Sequence, residues 1–419
     1  MGAVVTCFLR DRGDVLLVRR SDGAYAGLWD GVSGRVEGDS ADAGTDARRV
    51  LREVAGVTDA TLVRAGDPLE PRDGPRERTV YPFLFDADEV PRRSGSRAVD
   101  ARKIHEATPN AELAAVELAP PPAIRERSTV PGLWETYRRV APTVATVRDD
   151  ETHGSAWISR RALDVLRDAA AVADDWDDVA AVARDLRAAR PSMAAVENRV
   201  NRVLSTADRT PDAVRRGAEA AIEAACDAGD EAAATAAERL SGTVATLSRS
   251  GTVLSALRSA RPAVVVGESR PAREGVDAAE RFAEAGLDAT LTTDAALSAL
   301  VGGVDSVLIG ADAVLADGSV VNKVGTRALA LSAARADVPV YAVAAAAKIR
   351  PDDRMHGESG DPSAVYDGDA DVSVSNPVFD RTPADLITGV VTERGVLDVD
   401  DVAAVAAEHR RHAAWDDAE

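Results

Sequence analysis

From Pro262 onwards, short apolar runs alternate with helical segments, and this alternation limits the possible folds more than any other feature. The runs are AVVVG from Ala263, DATLTT from Asp288, DSVLIG from Asp305 and VPVYAV from Val338. Continuous apolar runs are typical of strands buried on both faces, and strands separated by helices form parallel sheets. The sequence therefore predicts an α/β fold with a doubly wound parallel sheet over residues 246–408.

The rest of the chain divides into two further segments. Residues 155–245 have helical periodicity, with a long Ala-rich helix predicted from about Asp212 to Leu240 after Pro211. Residues 1–146 are rich in strands and turns, and RDRGD at Arg10–Asp14 predicts a β-hairpin. The polar, aperiodic stretch Val147–Gly154 is interpreted as the linker between the two halves.

Polar residues follow several of the predicted parallel strands. They are Glu268 and Arg270 in VGESRP, Asp312 in GADAV, Asn322 and Lys323 in VVNKVGT, and Lys348, which is predicted to close its strand. Lysine is rare, since the chain has 50 basic residues and Lys103, Lys323 and Lys348 are the only lysines among them. Ligands of doubly wound sheets bind beyond the carboxyl ends of the strands. The sequence therefore predicts a phosphate site there, with Asp312 placed as a general acid or base.

The run SRSGT at Ser248–Thr252 predicts a second part of this site. It combines hydroxyls, the basic Arg249, and a turn through Ser250 and Gly251 into a helix. Backbone N–H groups at such a helix start can hold a phosphate. Each of these residues could instead have a structural role, for example Asp312 as a turn cap or Arg270 in a surface ion pair.

Composition excludes some classes of function. The formal net charge is −20 at pH 7, which disfavours nucleic-acid binding through a basic face. The acidic, Ala-rich and Lys-poor composition resembles that of proteins from salt-loving archaea. Cys7 and Cys226 lack partners at metal-ligand spacing, so both are predicted to be buried apolar residues. The sequence has no predicted transmembrane helix and no signal peptide, and a cytoplasmic location is expected.

The segment Gly34–Val57 resembles the Nudix box. The matching residues are Arg49, Leu51, Glu53, Gly56 and Val57, whereas Val50 and Val54 replace two of the three metal-binding glutamates. The resemblance implies a Nudix-like α/β/α domain over residues 1–146. It also implies that magnesium is a cofactor if this domain is active, with Glu53 as a ligand and Glu37, Asp39 or Glu106 as possible helpers.

Five segments between His153 and Gly395 resemble the family of initiation factor 2B alpha, beta and delta subunits. The segments are RPSMAAVENRV from Arg190, VATLSRSGTVLSAL from Val244, VGESRPAREG from Val266, GADAVLADGSVVNKVGT from Gly310 and NPVFDRTPADLITGVVTERG from Asn376. The family includes ribose-1,5-bisphosphate and methylthioribose-1-phosphate isomerases. The resemblance implies a helical subdomain, a Rossmann-like sheet and a homodimer formed through this half.

The resemblance also implies roles for individual residues. Asp312 matches the family's catalytic Asp, Ser248 stands where the isomerases have a catalytic Cys, and His153-Gly154-Ser155 replaces an early ligand motif. The ligand-binding candidates are Arg190, Arg249, Ser250, Gly251, Glu268, Arg270, Asn322, Lys323 and Lys348. A serine hydroxyl is a far weaker acid than a thiol, which argues against efficient proton transfer.

Three functions remain open from the sequence. The leading hypothesis is a regulatory protein that binds a nucleotide or a sugar phosphate and carries a Nudix-like domain. The alternatives are a Nudix hydrolase of a nucleoside diphosphate derivative and a sugar-phosphate aldose–ketose isomerase. A role in translation through protein contacts is also compatible with the resemblance.

Overall fold

A computed structural model describes residues 2–37, 43–71, 78–87 and 113–416. The chain forms two compact units. The first comprises Met1–Thr143 and Arg167–Val172, and the second comprises Val144–Leu166 and Ala173–Glu419. No helix among the described residues is long and apolar enough to span a bilayer.

The first unit is built on a seven-stranded mixed sheet. Its strands are β1 (Gly2–Asp11), β2 (Asp14–Arg20), β3 (Trp29–Asp30), β4 (Val32–Arg35), β5 (Ala60–Ala65), β6 (Arg78–Ala87) and β7 (Leu113–Ala119). Five of them lie side by side in the order β3-β2-β1-β6-β5, and in addition β4 pairs with β1 and β7 pairs with β2. Of these strand pairs, only β1 with β6 is parallel. The predicted hairpin joins β1 to β2, and positive φ angles at Arg12 and Gly13 fit a tight two-residue turn.

Apolar side chains alternate between the two faces of this sheet. On one face Cys7 and Leu9 pack against α1 (Ala43–Val50). This helix continues as a short π-helix at Leu51–Ala55. On the other face Phe8 packs near α2 (Ala123–Glu126) and α3 (Leu133–Arg138). A Cβ at Gly34 would lie 2.5 Å from a Val50 methyl group, so glycine allows the close approach of α1 to β4.

The second unit begins with helices. They are α4 (Val144–Arg148), α5 (Ser155–Ala170, of which the part up to Leu166 belongs here), α6 (Trp176–Ala189), α7 (Ala194–Thr206) and α8 (Pro211–Ala237). Thr210 caps α8 and Pro211 occupies its first turn, as predicted. Helix α4 covers the first two residues of the stretch interpreted as a linker.

The predicted parallel sheet is confirmed. Its strands are β8 (Thr243–Leu247), β9 (Ala263–Gly267), β10 (Ala289–Thr292), β11 (Ser306–Gly310), β14 (Val340–Val343), β16 (Gly389–Thr392) and β17 (Gly395–Leu397). They run in the order β10-β9-β8-β11-β14-β16-β17, and only the β16–β17 pair is antiparallel. The accompanying helices are α9 (Gly251–Ala260), α10 (Glu274–Glu284), α11 (Asp294–Leu300), α12 (Thr326–Arg335) and α13 (Val399–Ala413).

The prediction that Lys348 closes its strand was wrong, because β14 ends at Val343 and Lys348 lies in a 3-10 turn. The segment between β11 and α12 contains the hairpin β12 (Ala313–Val314) and β13 (Val320–Lys323), and β13 also pairs with β15 (Phe379–Thr382). The hairpin forms because alternate residues Ala313, Leu315 and Val321 can be buried in a small separate core.

Leu308 and Leu331 provide a matched test of the sheet core. Leu308 is fully buried in β11, whereas Leu331 on α12 is 51% exposed. We expect Leu308→Ala to lower the free energy of unfolding by about 2–5 kcal/mol, because it loses burial and leaves a cavity. Leu331→Ala should change it by no more than about 0.5 kcal/mol. Urea unfolding of both variants in molar KCl would check this, and equal effects would contradict the assigned core.

Candidate functional site

The order of the parallel strands reverses direction at β8. From β8 the chain moves outward through β9 to β10, and it then returns to place β11 on the other side of β8. Ser248 directly follows β8 and Asp312 lies two residues after β11. Ligands of such sheets bind at the carboxyl ends of the strands where the order reverses. The topology therefore brings the sequence-predicted Ser248 and Asp312 to one crevice.

Asp312 lies half-buried at this crevice, and its backbone N–H donates to Val321 O at 2.9 Å. Burial raises the pKa of its carboxyl group, and the charges of Lys348 and Lys323 oppose that rise only in part. Glu358 and Glu274 add repulsion that also raises this pKa. A carboxyl group in a crevice with a pKa raised by burial is a candidate for general acid–base catalysis.

Lys348 faces the same crevice from the turn after β14. Its Nζ donates to Ala311 O at 2.6 Å, next to Asp312 in the chain. Burial lowers the pKa of Lys348, the Asp312 carboxylate raises it, and Arg199 lowers it further. Asn198 fixes this turn by donating to Ala347 O and Ile349 O at 2.9 and 2.8 Å. The site thus holds an oriented ammonium group beside the carboxyl group.

Asn322 and Lys323 are brought to the same region by β13. Lys323 Nζ lies 2.7 Å from Glu274 Oε1 and 5.8 Å from the centre of the Phe379 ring. The buried Asn322 donates from Nδ2 to Thr326 Oγ1 at 3.0 Å. Each of these contacts uses only part of the hydrogen-bonding capacity of the group, since a lysine ammonium has three donors and an asparagine amide has two donors and an acceptor.

The SRSGT run forms a turn into α9. Ser248 has a positive φ of 61°, and its backbone N–H donates to Ser269 Oγ at 2.6 Å. Ser250 caps the helix by accepting from the N–H of Val253, and Gly251 is the first helical residue. A Cβ on Gly310 would lie 2.9 Å from that of Ser250, so glycine lets β11 approach this turn closely. The exposed Arg249 lies 3.3 Å from Asp277.

The ESRP turn is held by a carboxylate that the sequence analysis did not identify. The backbone N–H groups of Ser269 and Arg270 donate to the two oxygens of Asp294, each at 2.7 Å. The Arg270 side chain is exposed, and Glu268 lies 3.7 Å from Arg273. Arg270 therefore remains available to a ligand, and Asp294 serves as a positioning residue.

Arg190 is not joined to this cluster by any contact between described residues. Its guanidinium donates to the carbonyl oxygens of Arg148 and Asp150. Arg190 therefore has a structural partner in the loop between α4 and α5.

A carboxylate already occupies the start of α12. Asp380 accepts from the backbone N–H of Gly325 at 2.8 Å and of Arg327 at 3.2 Å. Burial raises the pKa of Asp380, and these two hydrogen bonds oppose the rise. No local pattern marks this contact in the sequence, because Asp380 lies within β15 and caps a helix that is distant in the chain.

The candidate metal ligand Glu53 has a cationic partner. Its Oε2 lies 2.8 Å from Arg49 Nη1, and Arg49 also contacts Asp46 at 2.7 Å and Glu37 at 3.5 Å. Across the described ranges, no group of three His, Cys, Asp or Glu side chains is arranged to hold a metal ion. The proposed helpers Asp39 and Glu106 lie outside the described residues.

His409 on α13 is a buried polar residue: it is 3% exposed, and its Nε2 lies 3.1 Å from Ala346 O. The helix buries this face because Val402, Val405 and Ala406 pack into the sheet core.

A pocket extends from Asp312 between the hairpin and the segment before α7. Part of its lining consists of Ser192, Met193, Ala313, Val321 and Phe379. The remaining lining comes from the loop that follows Lys348. Asp312 therefore lies in the wall of a small pocket.

Comparison with known proteins points to one family. The sequence model of the Initiation factor 2 subunit family matches residues 151–399. The ribose 1,5-bisphosphate isomerase of Haloferax volcanii is 34% identical over 286 residues, which cover 62% of this chain and 87% of that protein. The protein of the same name from Archaeoglobus fulgidus is 30% identical over 277 residues, which cover 60% of this chain and 87% of that protein.

A solved structure shares the fold of this region. The Pyrococcus horikoshii OT3 translation initiation factor eIF-2B superposes with a TM-score of 0.54 at 25% identity. The match covers 61% of this chain and 94% of that one.

Asp312 should lower the stability of the folded chain. Because its pKa is raised on folding, the ionised carboxylate opposes folding above that pKa, and the cost disappears below the ordinary value of about 3.9. We expect Asp312→Asn to raise the melting temperature at pH 7, with a gain that shrinks as the pH falls towards 4.

Asp317→Asn is the matched control for this experiment. The hydrogen bonds from Ser319 and the charge of Arg381 outweigh burial and lower the pKa of Asp317, so its loss should lower the melting temperature slightly. Scanning calorimetry of both variants between pH 4 and 8 gives the comparison. A lower melting temperature for Asp312→Asn at pH 7 would contradict the assigned electrostatics.

Proposed function

The chain belongs to the Initiation factor 2 subunit family, and from this premise we propose that its second unit is a sugar-phosphate aldose–ketose isomerase. The observation that carries the proposal is Asp312, a half-buried carboxyl group with a raised pKa at the point where the strand order reverses. The names of the two archaeal relatives, which are matched over most of their length, support the same activity. These findings favour the isomerase alternative over the leading hypothesis of a purely regulatory binding protein.

The chemistry of the proposed reaction fits the groups at the crevice. In a pentose 1-phosphate, conversion to the ketose breaks the ring bond between C1 and O4, moves the proton of the 2-hydroxyl group to O4, and moves the hydrogen of C2 to C1, with no net gain or loss of atoms. We assign the proton transfer at oxygen to Asp312, the carboxyl group at the crevice whose pKa is raised by burial. The Lys348 ammonium would stabilise negative charge on the sugar oxygens or a phosphoryl group.

The remaining ligand contacts are assigned to the strand ends. The backbone N–H groups at Ser250 and Gly251, at the start of α9, suit one phosphoryl group. Lys323, Asn322 and the exposed Arg270 suit sugar hydroxyls or phosphoryl oxygens. Arg249 and Glu268 lie beside this turn and are assigned an orienting role.

Ser248 favours a second candidate function, which is ligand binding without turnover. A serine hydroxyl cannot supply the acidic proton that a thiol, with a pKa near 8.5, can supply. The backbone of Ser248 is held by the hydrogen bond to Ser269 Oγ. The isomerase function and the binding function therefore differ in whether the hydroxyl group of Ser248 prevents turnover.

For the first unit we propose a Nudix-like domain that binds or docks rather than hydrolyses. The mixed sheet and the packing of α1 against Gly34 support the likeness. The ion pair of Glu53 with Arg49, together with the apolar Val50 and Val54, argues against magnesium-dependent hydrolysis. Addition of magnesium should therefore leave the melting temperature unchanged, and nucleoside diphosphate derivatives should not be hydrolysed above background.

We also propose that the chain forms a homodimer through its second unit, as the family resemblance implies. Light scattering in molar KCl would give the mass of the assembly. A monomer at micromolar concentration would contradict this proposal.

The isomerase function is tested with ribose 1,5-bisphosphate and methylthioribose 1-phosphate as substrates. We expect Asp312→Asn to lower kcat by about 10²–10⁴-fold, because one acid–base group is lost. Calorimetric titration should show that the variant still binds the ligand. Binding of the ligand by the wild-type protein without any turnover would reject the isomerase and support the binding function.

The role of Ser248 is tested by Ser248→Cys. If this group limits the reaction, the thiol should raise kcat by at least about tenfold. Ser255→Cys, on the exposed face of α9, is the matched control for an added thiol. An unchanged kcat in Ser248→Cys would show that the hydroxyl is not the missing group.

A further inference from the structure

Two arginines in the helical part of the second unit lie close to one thiol. Arg199 on α7 donates from Nη1 to the hydroxyl oxygen of Ser159 on α5 at 2.6 Å. Arg160, the next residue of α5, donates from Nη1 to Cys226 Sγ on α8 at 3.3 Å. Arg199 is 8% exposed, Cys226 is 7% exposed and Ser159 is fully buried. Neither arginine belongs to the strand-end cluster described above.

The guanidinium group of Arg199 is buried without a carboxylate partner in the described part of the chain. Its one hydrogen bond is the contact with Ser159, although a guanidinium group has five N–H donors. Burial and the charge of Arg160 lower the pKa of Arg199 to about 10, so the group remains charged at neutral pH. A buried charge without a partner is costly, and buried charges in folded proteins are normally paired.

Glu393 is the carboxylate whose charge acts on Arg199, but the two form no ion pair in the structure. The Oε2 atom of Glu393 accepts from the backbone N–H of Ala346 at 2.9 Å, and its charge also acts on Arg394. Glu393 therefore balances the charges of Arg160 and Arg199 only in part.

The other described neighbours do not remove the remaining charge. Lys348 is a further cation that acts on Arg199, and its charge is opposed by Asp312. Ser159 accepts from Arg199 and donates to Ala156 O at 3.2 Å, so it contributes no charge. Two guanidinium groups set against the one carboxylate of Glu393 leave one positive charge in excess.

A small group can reach this charge. The Nε and Nη2 atoms of Arg199 make no hydrogen bond to a described residue, yet neither is sealed from solvent. The small exposed fraction of Arg199 excludes a bulky ligand. A group of about the size of a water molecule that accepts N–H donors and carries one negative charge would complete the hydrogen bonds and balance the charge.

We propose that Arg160 and Arg199 hold a small monovalent inorganic anion of the chloride class in a site enclosed by α5, α7 and α8. The anion would accept hydrogen bonds from both guanidinium groups and thereby join α5 to α7. The residue before Arg199 in α7 is Asn198, which fixes the turn that carries Lys348. The anion site therefore supports the position of Lys348 without contacting the sugar ligand.

The site is tested by the melting temperature of the full chain in two potassium salts. Potassium gluconate is replaced stepwise by potassium chloride at constant ionic strength, so that general screening of charges stays fixed. Gluconate is too bulky for the enclosed site. The wild type is compared with Arg199→Met and Arg160→Gln. Arg335→Gln, at an exposed position on α12, is the control for the loss of a surface arginine.

We expect chloride to raise the melting temperature of the wild type and of Arg335→Gln by about 2 °C or more, because an anion that binds only the folded chain stabilises it. Arg199→Met and Arg160→Gln should lose most of this rise. The line width of the chloride NMR signal should decrease by the same order, with Arg199→Met below the wild type and Arg335→Gln equal to it.

Three outcomes would overturn the proposal. They are a wild-type melting temperature that does not respond to chloride, an equal response in Arg199→Met and the wild type, and a response to sulfate or phosphate in place of chloride. None of these measurements uses a sugar ligand, so the result is independent of the isomerase function.

A thiolate at Cys226 would supply the same charge from within the chain. The ultraviolet absorbance of a thiolate should therefore be no greater in the wild type than in Cys226→Ser at pH 7. A thiolate signal that this substitution removes would show that the chain balances its own charge, and it would reject the anion site.

Discussion

The parallel pairing of β8 with β11 is the contact on which the site depends. Val244 and Ala245 of β8 lie opposite Ser306 and Val307 of β11, although more than 50 residues separate the two strands in the chain. This pairing lets β9 and β10 extend the sheet on one side and β14 and β16 on the other. The carboxyl ends of β8 and β11 then diverge into a crevice, and Ser248 and Asp312 lie at its two edges.

The charges at this crevice form a small network of opposed signs. Lys348 and Lys323 lower the pKa of Asp312, while burial, Glu358 and Glu274 raise it. Lys323 is at the same time paired with Glu274. The raised pKa means that the ionised Asp312 carboxylate lowers the free energy of unfolding. Such a loss of stability is common where a group is positioned for chemistry.

Part of this site could be predicted because Ser248 and Asp312 follow parallel strands, which end at the same edge of the sheet. The route by which Asn322, Lys323 and Lys348 reach the site was not predicted, because the first two lie on the antiparallel β13 and the third lies in a 3-10 turn. Arg190 and Glu53 were proposed from their motifs alone, and the structure gives each of them a local partner in Asp150 and Arg49. Asp294 was not identified as a site residue, because its contacts are with residues distant in sequence.

The sequence by itself determined the strand and helix alternation, the placement of polar residues after strands, and the substitution of serine at position 248. These follow from local rules of burial and turn chemistry, which act over a few residues. Only the tertiary structure decided which strands are neighbours and that Asp294 and Ser269 fix the turns. Hydrogen bonds and charges act over a few ångströms in space, so their partners are fixed only when the chain has folded.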